Sequence, residues 1–509
     1  MIDITEWDKR NIWVDHAGEM VVRPGMQRST GAWALDMAEF FGGFSTENPR
    51  TGEPVHYVLA ADSNEDTYIL MLDQEFIPRA KVHVGARLRP DGPFQGGVLS
   101  NGQLLMGAPG MPMYWGYVGN GFKVAKRTIS ALDVDFTTQT INDGLVASWQ
   151  NRIVLGVRDA LYFSDIGSPR AFLAGNTTPA PGFIYFLAVS QSGMLFMGTT
   201  NGMYQIAADS AYAGEIVNPV FQKINEFPIT SFFQACTTDK GPVALSKSGL
   251  VSAAAYGGDE LMLGDQRITR TLNDPIHFED YKVGKVFSTR EGPMVSMASE
   301  QDQDSATYML LRVYERKMIF SWFESARQDG FKESVEVRGV LQDEDGTEFI
   351  LTDKSIFLFY GNSDSVPDDP IGRFVIGSMA GKVPIDPQAN PVVRSITTAS
   401  DNVGTLQYAS IQGVQKSATP HRDSDHIPMC DVTVWNDTTP NLDAQSYYTR
   451  RLHSIRHLFS LRTSDLAIEI GVEGSGFRMG LISYVSKGPG QFRPAEGEAL
   501  VPATLTVVP

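Results

Sequence analysis

The stretch Ala160–Phe172, ALYFSDIGSPRAF, sets Asp165 beside Ser164 at the end of an apolar run. A carboxylate there has two uses. It can act as an acid or base, or it can shape a turn by accepting a backbone N–H, as Asp does before Gly-Ser-Pro. Hydrolysis of a glycoside needs two carboxyl groups flanking one bond. Asp66, Asp165, Glu291 and Asp345 all lie near turns and are the acids from which such a pair would be drawn. The run HRDSDHIP holds His421, Asp423, Asp425 and His426, types that ligate metals when they converge. It also carries Arg422 and reads as a solvated loop.

The one locally basic segment is YYTRRLHSIRHLFSLR, with Arg450, Arg451, Arg456 and Arg462. His453 and His457 come close together only on a helix; on a strand they stand about 13 Å apart, and Arg450, Leu452, Ser454 and Arg456 share a face. These arginines are read as a candidate interface, either a solvated face or a contact to an acidic neighbour or phosphates. The sequence has no GxxxxGKS/T, no GxGxxG after a strand, no HExxH and no GxSxG. GSGFRMG, from Gly474, sits inside a strand pattern and reads as a bulge or hairpin. No catalytic residue, metal ligand or cofactor is assigned.

The element that positions Asp165 is repeated. A polar turn, a short strand, a second turn and another apolar strand recur in SNGQLLMGAPGMPMYWGY, WQNRIVLGVRDALYFSD and SQSGMLFMGTTNGMYQI, with looser copies elsewhere. The first-turn residues are Asn64, Asn101, Asn151, Gly193, Gly241, Gly292 and Gly346, in steps from 37 (Asn64 to Asn101) to 54 (Gly292 to Gly346). Blades of a β-propeller have this length, with four strands each. The small apolar strands LLMGAPG, IVLGV and LFMGTT are expected to crowd the axis. A series of hairpins or sandwiches is the competing arrangement.

The expected fold is therefore all-β: a propeller of five to seven degenerate blades over 46–362, an N-terminal strand or arm over 1–45, and a β-sandwich-like module over 363–509. GNSDSVPDDPIGRF reads as a linker between the last two, and the closing strands of the chain are candidates to return and seal the ring. Asp165, Gly167 and Pro169 are expected to shape a strand-end turn, with the Asp165 side chain accepting a backbone N–H.

Composition bounds the function. The chain has 509 residues, 42% hydrophobic and 20% charged, with 48 Gly and 28 Pro, a globular and turn-rich balance. A net charge of −17 argues against gripping DNA, whose affinity comes from Lys and Arg on phosphates. Cys236 and Cys430 form no CxxC, so no thiolate zinc site is expected and their disulfide state stays open. MIDITEWDKRNIW has no signal-peptide core, and no apolar run has membrane-spanning length. Synthesis in the cytoplasm is the expectation.

In order along the chain, NIWVDHAGEMVVRPGM, NRIVLGVRDALYFSDIGSPRAF, GMLFMGTTNGMYQI with KINEFPITSFFQACTTDKGPVALSKSGL, and RRLHSIRHLFSLRTSDLAIEIGVEG resemble the tail hub or nozzle (packaged-DNA stabilisation) proteins of short-tailed bacteriophages. The resemblance implies a structural virion protein. It implies a homohexameric ring below the portal and adaptor, with fibres or spikes attached and DNA passing through on ejection. An acidic lumen would keep that DNA mobile. The alternatives are a propeller module binding protein or glycan, and, less favoured, a carbohydrate-active enzyme.

Overall fold

The apolar runs of the repeat become strands buried on both faces. In the computed structural model, Pro54–Ala61 is buried at all eight positions and Arg152–Val157 at all six. Alternate residues serve opposite neighbours. Tyr57 and Leu59 pack with Leu104, Met106 and Tyr114, whereas Val58 and Ala60 pack with Leu341, Phe349 and Leu351. The period of two is still there, but both faces are dry, so the sequence reads as one apolar run. Each buried Leu, Val or Phe contributes about 1.5–3 kcal/mol relative to exposure, and these clusters between sheets hold the sheets together.

The structure describes residues 36–119 and, apart from 170 and 191, 144–208; elsewhere it describes shorter segments, named below as they arise. All elements among the described residues are strands. Seven antiparallel groups of strands follow one another along the chain, the sixth being part of a 14-stranded sheet. Blade 1 comprises Glu39–Glu47, Pro54–Ala61, Asp66–Leu72 and Pro78–Ala86. Blade 2 comprises Gln95–Val98, Gln103–Gly107, Tyr114–Tyr117 and Phe122–Val124. Blade 3 comprises Gly144–Trp149, Arg152–Val157, Ala160–Ser164 and Phe172–Pro179. Blade 4 comprises Ile184–Val189, Leu195–Thr199, Gly202–Ala208 and Pro219–Asn225. Blade 5 has Ala235–Thr238, Gly241–Ser246 and Gly249–Ser252. Blade 6 has Tyr281–Thr289, Gly292–Ser299, Tyr308–Tyr314 and Lys317–Trp322. Blade 7 has Val337–Gln342, Glu348–Thr352 and Ile356–Phe359.

The first strand of each sheet touches the first strands of the sheets before and after it, and that of blade 7 touches that of blade 1. The ring is closed, and the fold is a seven-bladed β-propeller. Its seam is sealed by the N-terminal segment. Met26–Arg28 is the outermost strand of blade 7, with Phe357↔Arg28, Leu358↔Gln27 and Phe359↔Met26 in antiparallel register. Closure therefore comes from the start of the chain, not from a returning C-terminal strand.

Several expectations are corrected. LLMG, IVLGV and LFMGT are the second strands of blades 2, 3 and 4, not the axial ones. The axial strands, such as Gln95–Val98 and Gly144–Trp149, precede them. Second strands look most apolar because two neighbouring blades cover them. Asn101, Asn151, Gly193, Gly241 and Gly292 do fall where first strands turn into second, but Asn64 joins the second and third strands of blade 1. The tight turn at Gln150 and Asn151, with φ of 51° and 57°, is the left-handed pair that a two-residue hairpin requires.

Blade 1 begins at Glu39, ahead of the expected boundary at 46. The supposed linker GNSDSVPDDPIGRF contains a hairpin, Ser363–Val366 with Asp369–Phe374. Beyond it, Leu452–Glu473 runs through two pairings. Its first half pairs with Val392–Asp401, and its second half lies between Ile376–Val383 and Thr405–Gln415. The module is not separate from the ring: Asp8–Arg10 pairs with Ile376–Val383 on one side and with blade 6, at Trp322, on the other. Leu452–Glu473 and Arg478–Lys487 flank Val392–Asp401 rather than pairing with each other; Gly474 lies outside the described residues.

Candidate functional site

The seven first strands enclose a cavity of about 270 Å³ on the propeller axis. All seven contribute: Gly43 and Phe44, Gln95, Leu145, Tyr185 and Phe186, Thr237, Phe287, and Arg338. Aromatic rings dominate the wall. Phe44 stands 5.4 Å from Tyr57 and 5.5 Å from Phe94, centroid to centroid, and Tyr185 stands 5.0 Å from Phe232. Such offset and tilted pairs fix one another's orientation, so the wall is rigid.

The strands approach this closely because the first strand of blade 2 carries Gly96 and Gly97. A Cβ on Gly96 would run into the Phe44 ring. One on Gly97 would lie 2.8 Å from Ile153 Cδ1 and 3.1 Å from Ala147 O. Only glycine fits between Phe44 of blade 1 and the strands of blade 3.

A few polar groups interrupt the apolar wall. The Gln95 Oε1 and Thr237 Oγ1 atoms are buried without a hydrogen-bond partner. Arg338 Nη2 lies 3.7 Å from Glu39 Oε1, and Glu39 also takes an ion pair from Arg89 at 2.9 Å. Among the described residues that line the cavity there is no carboxylate.

Cys236, a free cysteine, also lines the cavity. Burial pushes its thiol up from 9.0 to about 12, so it stays protonated and is no nucleophile. Burial likewise pushes Tyr57 up from 10.0 to about 12, opposed by its bond to the Gly119 backbone, and raises Tyr114. All three groups are neutral in the folded state. The unfolded chain releases its thiol proton at pH 9 and its phenolic protons at 10, before the folded chain does. The contribution of these three groups to stability is therefore flat below pH 9 and falls above it, by about 1.4 kcal/mol per pH unit for each group in its window. In urea titrations between pH 7 and 11, Cys236→Ala is expected to move the onset of that fall from pH 9 toward 10. An unchanged onset contradicts the burial of the thiol.

The sequence-derived candidates fall elsewhere. Asp66 reaches the exposed His83 at 3.4 Å in the outer part of blade 1. Asp165 lies at the third turn of blade 3. Glu291, Asp345, Arg450, Arg451 and the 421–426 run lie outside the described residues. Arg456 and Arg462 sit on Leu452–Glu473, in register with Thr397 and Val392. Because that segment is a strand, His453 and His457 lie four positions, about 13 Å, apart along it, in register with Ser400 and Ile396, and not one helical turn apart. No cluster of three or more metal-ligating side chains occurs among the described residues.

The turn at Asp165 is built differently from expectation. The Ser168 N–H donates to Asp165 O at 3.2 Å, Asp165 N–H donates to Ala171 O at 2.7 Å, and Gly167, at φ 71°, supplies the left-handed corner. Gly167 N–H then donates to Asn151 O, and Asn101 Nδ2 donates to Gly167 O, tying the turn to blade 2. Pro169 is buried beside it. The Asp165 backbone, not its side chain, makes the turn bonds; Oδ1 accepts none. Burial lowers the pKa of Arg152, which donates to Ser164 O at 2.8 Å, and the charge of Asp165 partly opposes that shift. Asp165→Ala is expected to cost about 1 kcal/mol in urea denaturation, within the range for loss of a charged partner, and Gly167→Ala about the same through its positive φ. Equal midpoints for wild type and both variants would remove the turn from the structural roles.

The closed ring of inner strands around an aromatic-walled axis defines the class: a seven-bladed β-propeller with an attached β-sandwich-like module. No protein-family model and no curated protein sequence matches the chain. Among solved structures it is similar to the extracellular domain of the hybrid two-component system BT4673 from B. thetaiotaomicron, at TM-score 0.40 and 10% identity, over 66% of this chain and 39% of that one. It is also similar to YCF48 bound to D1 peptide, at TM-score 0.35 and 14% identity, over 64% of this chain and 94% of that one. The chain thus spans well under half the length of the first of these proteins.

The axial residues escaped sequence reading. Gln95, Thr237 and Arg338 belong to short first strands with no motif. The adjacent pair Gly96–Gly97 was the one signal of close backbone approach that pointed there.

Proposed function

We propose that this protein is a non-catalytic β-propeller binding module whose ligand seats in the axial cavity. The supporting observation is the cavity itself: all seven blades contribute to its lining, aromatic rings come from blades 1, 4 and 6 and from the segments just before blades 2 and 5, and its described lining has no carboxylate. Binding sites are concave, mostly apolar and carry a few placed polar groups. The acid pair that glycoside hydrolysis needs has no counterpart there. Gly96→Val, which drives Phe44 toward the cavity, is expected to abolish ligand binding. Turnover of a polysaccharide by the wild-type chain would refute the non-catalytic reading.

The setting proposed for this module is the tail of a short-tailed bacteriophage, as a structural hub or nozzle in a ring of six copies. The sequence resemblance and the net charge of −17 support it. A conduit lined with acidic surface repels DNA phosphates and lets them slide. Contacts between such acidic copies must be local, and Arg450 and Arg451 are proposed to make one. Charge reversal of both is expected to impair assembly of particles. Mass spectrometry of gradient-purified particles is expected to find the chain at half the copy number of a twelve-fold portal; its absence from particles overturns the tail assignment.

A further inference from the structure

We propose that Phe232 is the gate of the axial cavity: it reaches across the mouth from the blade 5 side to Gly92 on the blade 2 side, and a ligand enters when the ring swings away. This rests on the binding reading above and names what controls entry to that site. Topology carries the first step. The chain enters blade 2 through residues 87–94 and blade 5 through residues 226–234. Each of these loops joins an outermost strand to the next first strand, so both lie on the same face of the ring. Two blades separate blade 2 from blade 5 in one direction and three in the other. Contact between their entry loops is therefore made over the axis.

That contact is Phe232 on Gly92. A Cβ on Gly92 would lie 2.8 Å from both Cβ and Cγ of Phe232, and as close to Pro109 Cγ on its other side. Phe232 also lines the cavity, and its ring stands 5.0 Å from Tyr185 and 6.4 Å from Phe183, centroid to centroid. One half-buried ring thus joins the entry to blade 2 to the entry to blade 4. The loop that carries it is pinned on both sides. Ile229 is fully buried and its N–H donates to Thr199 O at 2.9 Å. Gln234 Oε1 accepts from the Thr230 N–H at 2.7 Å and the Ser231 N–H at 3.2 Å, and Gln234 Nε2 donates to Leu245 O at 2.7 Å. With the loop held, rotation of the ring is the opening step, and Gly92 has no side chain to interlock with it.

Cys236 lines the same cavity and reports the opening. Burial keeps its thiol protonated, so it reacts only when solvent reaches it. The test times labelling of Cys236 by 4,4′-dithiodipyridine at neutral pH, in the full chain carrying Cys430→Ser. Phe232→Ala is expected to speed labelling tenfold or more. Gly92→Ala, whose methyl group displaces the ring, is expected to speed it as well. Phe221→Ala is the control: Phe221 packs against the same apolar cluster as Phe232, but from the outermost strand of blade 4. It is expected to label at the wild-type rate. An unchanged rate in Phe232→Ala overturns the proposal. Equal acceleration in Phe221→Ala also overturns it, because the thiol is then reached by loosening of the cluster. The readout uses no ligand, so the two readings fail separately. Fast labelling in Phe232→Ala with no ligand protection of the axial strands keeps the gate and removes the binding reading; protection with unchanged labelling does the reverse.

Discussion

Removing residues 1–28 is expected to open the propeller. The chain closes its ring by placing Met26–Arg28 against Ile356–Phe359, so the last blade takes its outermost strand from the first residues of the chain. Without it the edge of blade 7 is bare. Leu358, which packs on the cluster shared by blades 7 and 1, and Phe357, which packs on Met294 and Val337, then lose their cover. Three paired positions and that apolar cover go together, a loss of about 3 kcal/mol or more at roughly 1 kcal/mol per net hydrogen bond plus the exposed apolar area.

The same truncation removes Asp8–Arg10, which joins the second module to blade 6, so a narrower variant is needed. Neighbouring N–H groups on a strand point to opposite edges. The double substitution Met26→Pro with Gln27→Pro therefore deletes at least one bond of the seam and leaves Asp8–Arg10 intact. Calorimetry is expected to show a lower, broader transition for this variant. Proteolysis should cut first near blades 7 and 1. A transition identical to wild type would mean that the ring is not sealed by this strand.

Gly96→Val is expected to be the most damaging single substitution near the axis. Its side chain would occupy the space of the Phe44 ring. That ring cannot step aside, because Tyr57 stacks on one face at an interplanar angle of 20° and Phe94 tilts against it. Overpacking of this kind costs typically 1–3 kcal/mol, and the rigid surroundings place Gly96→Val at about 3 kcal/mol. Any relaxation pushes Phe44 toward the cavity and fills it. The variant should lose both urea resistance and ligand binding. If Gly96→Val binds ligand as wild type does, the cavity is not where binding occurs.

The repeat was legible because the second strands of the blades are covered on both faces and stand out as apolar runs. For the same reason it was read one strand out of phase. The first strands carry no common apolar run: Gln95–Val98 is four residues with two glycines, whereas Glu39–Glu47 has nine, so composition alone does not mark them as the axis. The seventh blade's missing strand was invisible. MQR at residues 26–28 has no strand signature, and its partner lies more than three hundred residues away. Such a pairing is fixed by ring geometry, not by local propensity. Asp165 shows the same limit. Its neighbours Gly167 and Pro169 announced a turn, but its role toward Arg152 depends on a buried charge thirteen residues upstream that only the folded hairpin brings near.

The central claim is that ligand seats on the propeller axis and leaves chemically unchanged. Hydrogen–deuterium exchange on the full chain, with and without a panel of bacterial surface oligosaccharides, combined with product analysis of the same samples, tests both halves. The expected result is protection confined to the axial strands Gln95–Val98, Ala235–Thr238 and Val337–Gln342, abolished by Gly96→Val, with every oligosaccharide recovered at its original length. Protection only at outer strands, or shortened oligosaccharides, would contradict it.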